Sequence, residues 1–154
     1  MGDYDNDGRV DVLIADSEGT PLLLHNEVAK PATAHWVGFA LSQPPGAPGG
    51  RDAYGAVVTV RAGGRTLMRH CHADGSYMSR SDTRVHFGLG SGEAIESITV
   101  RWPDGKSETW PGSGNNNPGS AVLPTDRYHR LERGTGFLAD TRISMGAPAP
   151  RPGR

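Results

Sequence analysis

The chain has 154 residues with Lys+Arg 16 against Asp+Glu 17 and a formal net charge of -1 at pH 7, so it lacks the basic field that holds nucleic acid or an anionic membrane surface. Its 22 glycines and 12 prolines interrupt nearly every window long enough for a helix, and no stretch is apolar enough for a membrane span. The single cysteine, Cys71, excludes an intrachain disulfide, which leaves an apolar core and bound metal as the sources of stability. The expectation is an all-β chain of one domain with appendages.

The first element in chain order is the acidic segment Asp3-Tyr4-Asp5-Asn6-Asp7-Gly8-Arg9-Val10-Asp11. A hard cation such as Ca²⁺ takes about six to eight oxygen ligands, and a short loop supplies them from alternating side chains, one backbone carbonyl and a glycine at the sharp turn. Asp3, Asp5, Asp7 and Asp11, the carbonyl of Arg9 and the hinge Gly8 fit that plan and are the expected metal ligands, with Ca²⁺ as the expected cofactor. An EF-hand needs a Glu at loop position 12 and an amphipathic exiting helix, whereas Ile14 stands there and Val10, Val12, Leu13 and Ile14 form a short β-branched and apolar run. The loop therefore leads into a strand. The alternative is a solvated acidic turn, since Asp, Asn and Gly favour turns, but converging aspartates repel one another without a cation.

Leu22, Leu23 and Leu24, followed by His25 and Asn26, make a second strand, so residues 1–30 read as one hairpin and residues 30–34 as a linker. Residues 35–136 read as the main β domain, with strands at residues 35–41, 55–62, 65–72, 83–87, 95–102 and 128–132. Gly63-Gly64 suits a primed hairpin turn and Pro103-Asp104-Gly105 ends a strand. Alternation predicts a core containing Trp36, Val58, Val60, Phe87, Leu89, Ile98, Val100 and Trp102. Residues 111–125 read as a flexible insertion and residues 137–154 as a disordered Pro-rich tail.

The loop and the strand after it resemble the calcium loop of FG-GAP (VCBS-like) propeller repeats, with the pattern D-x-D-x-D-G-x-x-D, over residues 2–26. Gly55-Ala56-Val57-Val58-Thr59-Val60, Gly75-Ser76-Tyr77-Met78-Ser79-Arg80-Ser81-Asp82, His86-Phe87-Gly88-Leu89-Gly90 and Val100-Arg101-Trp102-Pro103-Asp104-Gly105 resemble the ASPIC/UnbV domain, which follows such repeats in cartilage acidic protein-like proteins and in proteins encoded beside enediyne gene clusters. Together the two resemblances cover about residues 2–136, and the stretch at residues 111–125 is longer than the family's usual connection. They imply an antiparallel β-sandwich or barrel-like domain preceded by one propeller-type β-hairpin with a calcium loop.

Two other constellations have the residue types of a site. His70 and His72 share one face of a predicted strand with Cys71 on the other, which gives two nitrogens without a third ligand nearby. Ser79, Asp82 and His86 have the residue types of a hydrolytic triad but lack a nucleophile elbow or oxyanion loop. The favoured expectation is a calcium-binding, non-catalytic adhesion or interaction module, the C-terminal part of a larger exported protein, extracellular or periplasmic, with a protein or glycan ligand and upstream repeats as partners. Its abrupt start inside a metal loop is what points to a fragment. The rival is an enzyme or an accessory protein of biosynthesis, gripping substrate with a polar loop around Tyr77 to Asp82 and His86.

Overall fold

The computed structural model describes residues 1–75, 77–91, 94–112 and 123–138. Most of the 111–125 insertion and all but the first two residues of the 137–154 tail lie outside the described residues. Among the described residues ten strands run in chain order as β1 (Val12–Ile14), β2 (Leu22–Leu24), β3 (Ala34–Ser42), β4 (Val57–Ala62), β5 (Arg65–His70), β6 (Val85–Ser91), β7 (Ile95–Arg101), β8 (Ser107–Pro111), β9 (Tyr128–Glu132) and β10 (Phe137–Leu138). The described residues contain no helix, as the glycine and proline content requires.

The strands form three sheets: β1-β2, the five-stranded β10-β8-β7-β4-β5, and the three-stranded β6-β3-β9. The two larger sheets enclose one core, and neither closes into a barrel, so the sandwich is the architecture. Val37, Phe39, Val58, Val60, Phe87, Leu89, Ile98, Val100 and Trp102 are all buried in it, as period-2 alternation demands when one face of each sheet meets the other. The hairpin of β4 and β5 turns at Gly63 and Gly64, whose φ values of 54° and 69° are the pair of positive angles a type I′ turn needs. Cys71 is buried and its backbone hydrogen-bonds to Gly55 and Ala56 just before β4, its thiol near the carbonyls of Asp52 at 3.2 Å and Thr83 at 3.4 Å, and burial pushes its pKa up to about 11.

Three features differ from the sequence expectation. β8 was missed, although Ser107, Glu108, Thr109 and Trp110 pair antiparallel with β7 across the Pro103-Asp104-Gly105 turn. Residues 137 and 138, assigned to the tail, instead pair with β8 as an edge strand. The sandwich is also not wholly antiparallel, because β9 runs parallel to β3 from Gly38↔Tyr128 to Ser42↔Glu132. A strand that enters after a long connection is free to arrive in either direction.

Candidate metal loop on the outer face of a sheet

On β3 the inward side chains are Val37, Phe39 and Leu41, and period 2 sends Trp36, Gly38 and Ala40 to the opposite face. Trp36 is nonetheless only 4% exposed. Its burial comes from the acidic loop, not from the sandwich core: a Cβ added at Gly8 would fall on the Trp36 indole. Gly8 also has φ 87°, so the loop requires glycine there for both backbone and space. The expected core membership of Trp36 is thus corrected to burial on the outer face.

That face is built from three strands. Trp36 of β3 stacks on His86 of β6 with centroids 5.2 Å apart, and Tyr128 of β9 meets Trp36 edge-on at 4.9 Å. Gly38 makes this arrangement possible, since any Cβ there would enter the Tyr128 ring. The Tyr128 hydroxyl donates to Asp3 Oδ2 at 3.0 Å. Burial, with the Asp3 charge beside it, pushes the phenol well above its ordinary range. Arg84 lies 3.8 Å over the Tyr128 ring, donates to Asp82 Oδ2 and to the Asp3 carbonyl, each at 2.6 Å, and reaches Asn6 Oδ1. Burial lowers the His86 pKa, against the opposing pull of the Asp3 charge and the Gly8 backbone, and its Nε2 has no hydrogen-bond partner among the described residues.

The loop itself closes on paired backbone hydrogen bonds between Gly2 and Asp11, at 3.1 and 2.7 Å. Asp3 and Asp11 are each only 2% exposed. Asp3 accepts from the Asp7 N–H at 3.1 Å and the Gly8 N–H at 2.9 Å, and Asp11 from the Asn26 N–H at 2.8 Å and the Tyr4 N–H at 3.1 Å. The Asn26 N–H leads the causes that hold the Asp11 carboxyl below its ordinary range. Each carboxylate has about four lone-pair sites, so two or three donors leave room for a cation.

The expected ligands divide into two groups. Asp3, Asp5 and Asp11 each offer an oxygen within 4.8 Å of the others, and Asp5, Asp7 and His25 do the same with a nitrogen among them. The Arg9 side chain is paired with Asp7. The first donor set is all oxygen and buried on two of its three members, which fits a hard cation. Among the described residues these are the two such groups, so His70, Cys71 and His72 do not make one. Asp82 is held by Arg84, and His86 packs on Trp36 beside Tyr128.

The sequence reasoning missed Tyr128, Arg84 and the outward role of Trp36. One signal was available: β3 carries large apolar side chains in both phases, Trp36 as well as Val37 and Phe39, which marks a strand covered on both faces.

Fold and site together define a β-sandwich carrying an acidic loop on its outer face. Residues 46–120 match the family model described as ASPIC and UnbV, a β-rich region that includes strands β4 to β8 and begins downstream of the loop. No curated protein matches the chain.

Proposed function

We propose that the chain is a calcium-binding, non-catalytic interaction module, the terminal part of a larger exported protein of FG-GAP/VCBS type. The observation that carries this reading is the convergence of Asp3, Asp5 and Asp11 oxygens within 4.8 Å in a loop seated on a folded sandwich. Asp3, Asp5 and Asp11 would hold the ion, with Asp7 and the Arg9 carbonyl as further oxygen donors from the same loop. The ion would supply charge compensation to carboxylates that otherwise face one another, and so lock the loop onto the outer sheet. Support for an interaction role comes from the apolar surface the chain displays: Leu13, Ile14, Leu22, Leu23 and Leu24 are about half exposed on the β1-β2 hairpin, and Tyr77 and Met78 are 91% and 89% exposed. A protein or glycan is the proposed ligand of that surface, and upstream repeats the proposed neighbour of the hairpin.

Calcium titration by calorimetry, paired with thermal melts, tests the reading. A ligand bound only by the native state adds about 2.7 kcal/mol at a hundredfold excess over Kd. The melting temperature should rise with calcium, fall back with EGTA, and cease to respond in Asp5→Ala. A melt indifferent to calcium into the millimolar range, with no heat of binding, overturns the calcium assignment.

A further inference from the structure

Asp5 belongs to both ligating groups, and the second contains an imidazole that the spacing of the aspartates did not bring in. His25 follows β2, whose register places Leu24 opposite Val12, and this carries the imidazole back over the loop. We propose that Asp5, Asp7 and His25 form a mixed nitrogen and oxygen site for a divalent transition metal of the zinc class, sharing Asp5 with the all-oxygen group. The proposal extends the reading of the segment as a metal loop.

Geometry comes first. One atom from each of the three residues lies within 4.8 Å of the others, and His25 Nε2 is already 3.1 Å from Asp5 Oδ2. Donors bound at about 2.1 Å to one ion stand roughly 3.0 to 3.5 Å apart, so small rotations of half-exposed side chains complete the set. The second observation is on the far side of the imidazole. Glu27 Oε1 lies 3.9 Å from His25 Nδ1, beyond hydrogen-bond reach, so a rotation of this exposed carboxylate is needed to place it behind the non-ligating nitrogen, where a carboxylate fixes the tautomer of metal-bound histidines. Tyr4 meets the same ring edge-on at 5.5 Å.

The third observation concerns charge. Asp7 Oδ2 is ion-paired with the Arg9 guanidinium, and both side chains are partly exposed. Arg9 therefore supplies positive charge that an ion would replace. Imidazole donors favour zinc and its neighbours, whereas oxygen-only sets favour calcium, magnesium and manganese, so the two groups differ in the metal they select. Because Asp5 serves both groups and Asp7 is also a proposed calcium donor, the two metals compete for the loop.

Zinc calorimetry on the full chain, with wild type, His25→Ala and Glu27→Gln, tests the site, alongside the histidine ring ¹H–¹⁵N spectrum of the wild type. The wild type should bind one equivalent of zinc and shift the His25 ring signals. His25→Ala should lose at least about tenfold in zinc affinity, and Glu27→Gln about tenfold or more at an outer carboxylate. Zinc affinity unchanged in His25→Ala, no saturable zinc binding by the wild type, or zinc shifts confined to other histidines would each overturn the proposal. Should His25→Ala fail to fold, the wild-type ring spectrum decides. Zinc binding through His25 in a chain that ignores calcium would remove the calcium reading and support this site.

Discussion

The sandwich and the docked loop are held by opposite means. In the sandwich, fully buried Phe39, Phe87, Leu89, Ile98, Val100 and Trp102 leave water together, and stability scales with apolar area removed from solvent. In the loop, the buried groups are the carboxylates Asp3 and Asp11, and what secures them is a set of directed hydrogen bonds and an aromatic bed of Trp36, His86 and Tyr128. The adjoining hairpin leaves its leucines half exposed. A region secured by geometry fails when one partner is removed, and a region secured by area fails in proportion to the volume lost. The contrast teaches that the loop depends on the sandwich for its seat, while the sandwich core contains no loop residue.

Phe87→Ala tests the core side most severely. Phe87 is 1% exposed and packs edge-on to Phe39 at 6.0 Å, so its truncation should cost about 3 to 5 kcal/mol and unfold sandwich and loop together in a chemical denaturation curve. Wild-type stability in that variant would break the assignment of this ring to the core.

Gly8→Ala attacks the seat of the loop. The new Cβ meets the Trp36 indole at a positive φ, and strain of this kind costs about 1 to 3 kcal/mol. The expected outcome is release of the loop from a folded sandwich: the Trp36 indole N–H signal moves while amide signals of β4 and β7 stay in place. A global loss of signals would join the two regions into one cooperative unit and dissolve the comparison.

Tyr128→Phe removes one directed bond. Loss of the hydroxyl to the Asp3 carboxylate should cost about 1.5 to 3 kcal/mol at most, read as faster amide exchange at Asp7 and Gly8 with little change in β7. Unchanged exchange at the loop would show that stacking alone seats it.

The smallest effect is expected at Asp104, which pairs with Arg133 on the sandwich rim. The Arg133 hydrogen bond holds the Asp104 carboxyl below its ordinary value of 3.8. A depressed carboxylate contributes stability that is full above its unfolded value and is lost as pH falls through the folded one. The gap between wild type and Asp104→Asn should therefore be present at pH 7 and shrink below pH 3.8, measured by urea denaturation across that range. A gap that widens on acidification would contradict the pairing.

Much of the sandwich was legible in the chain because strand side chains alternate with period 2. Val58 and Val60, or Ile98, Val100 and Trp102, announce one buried face without knowledge of the partner sheet. The acidic loop was legible for a similar reason, since its aspartates lie at alternating positions close in sequence around one glycine turn. β8 was missed because Thr109 and Trp110 adjoin a proline and a glycine-rich stretch that reads as loop.

What the sequence by itself determined is the local pattern: an all-β chain, the turns at Gly63-Gly64 and Pro103-Asp104-Gly105, the inward faces of the strands and the cluster of aspartates. Only the tertiary structure decided that Tyr128 reaches Asp3 across 125 residues, that Trp36 faces outward onto Gly8, that β9 runs parallel to β3, and that His25 joins Asp5 and Asp7. Short-range periodicity is a property of the backbone alone, whereas these pairings depend on which sheet edge a distant strand occupies, and that choice is made by the packing of the whole core.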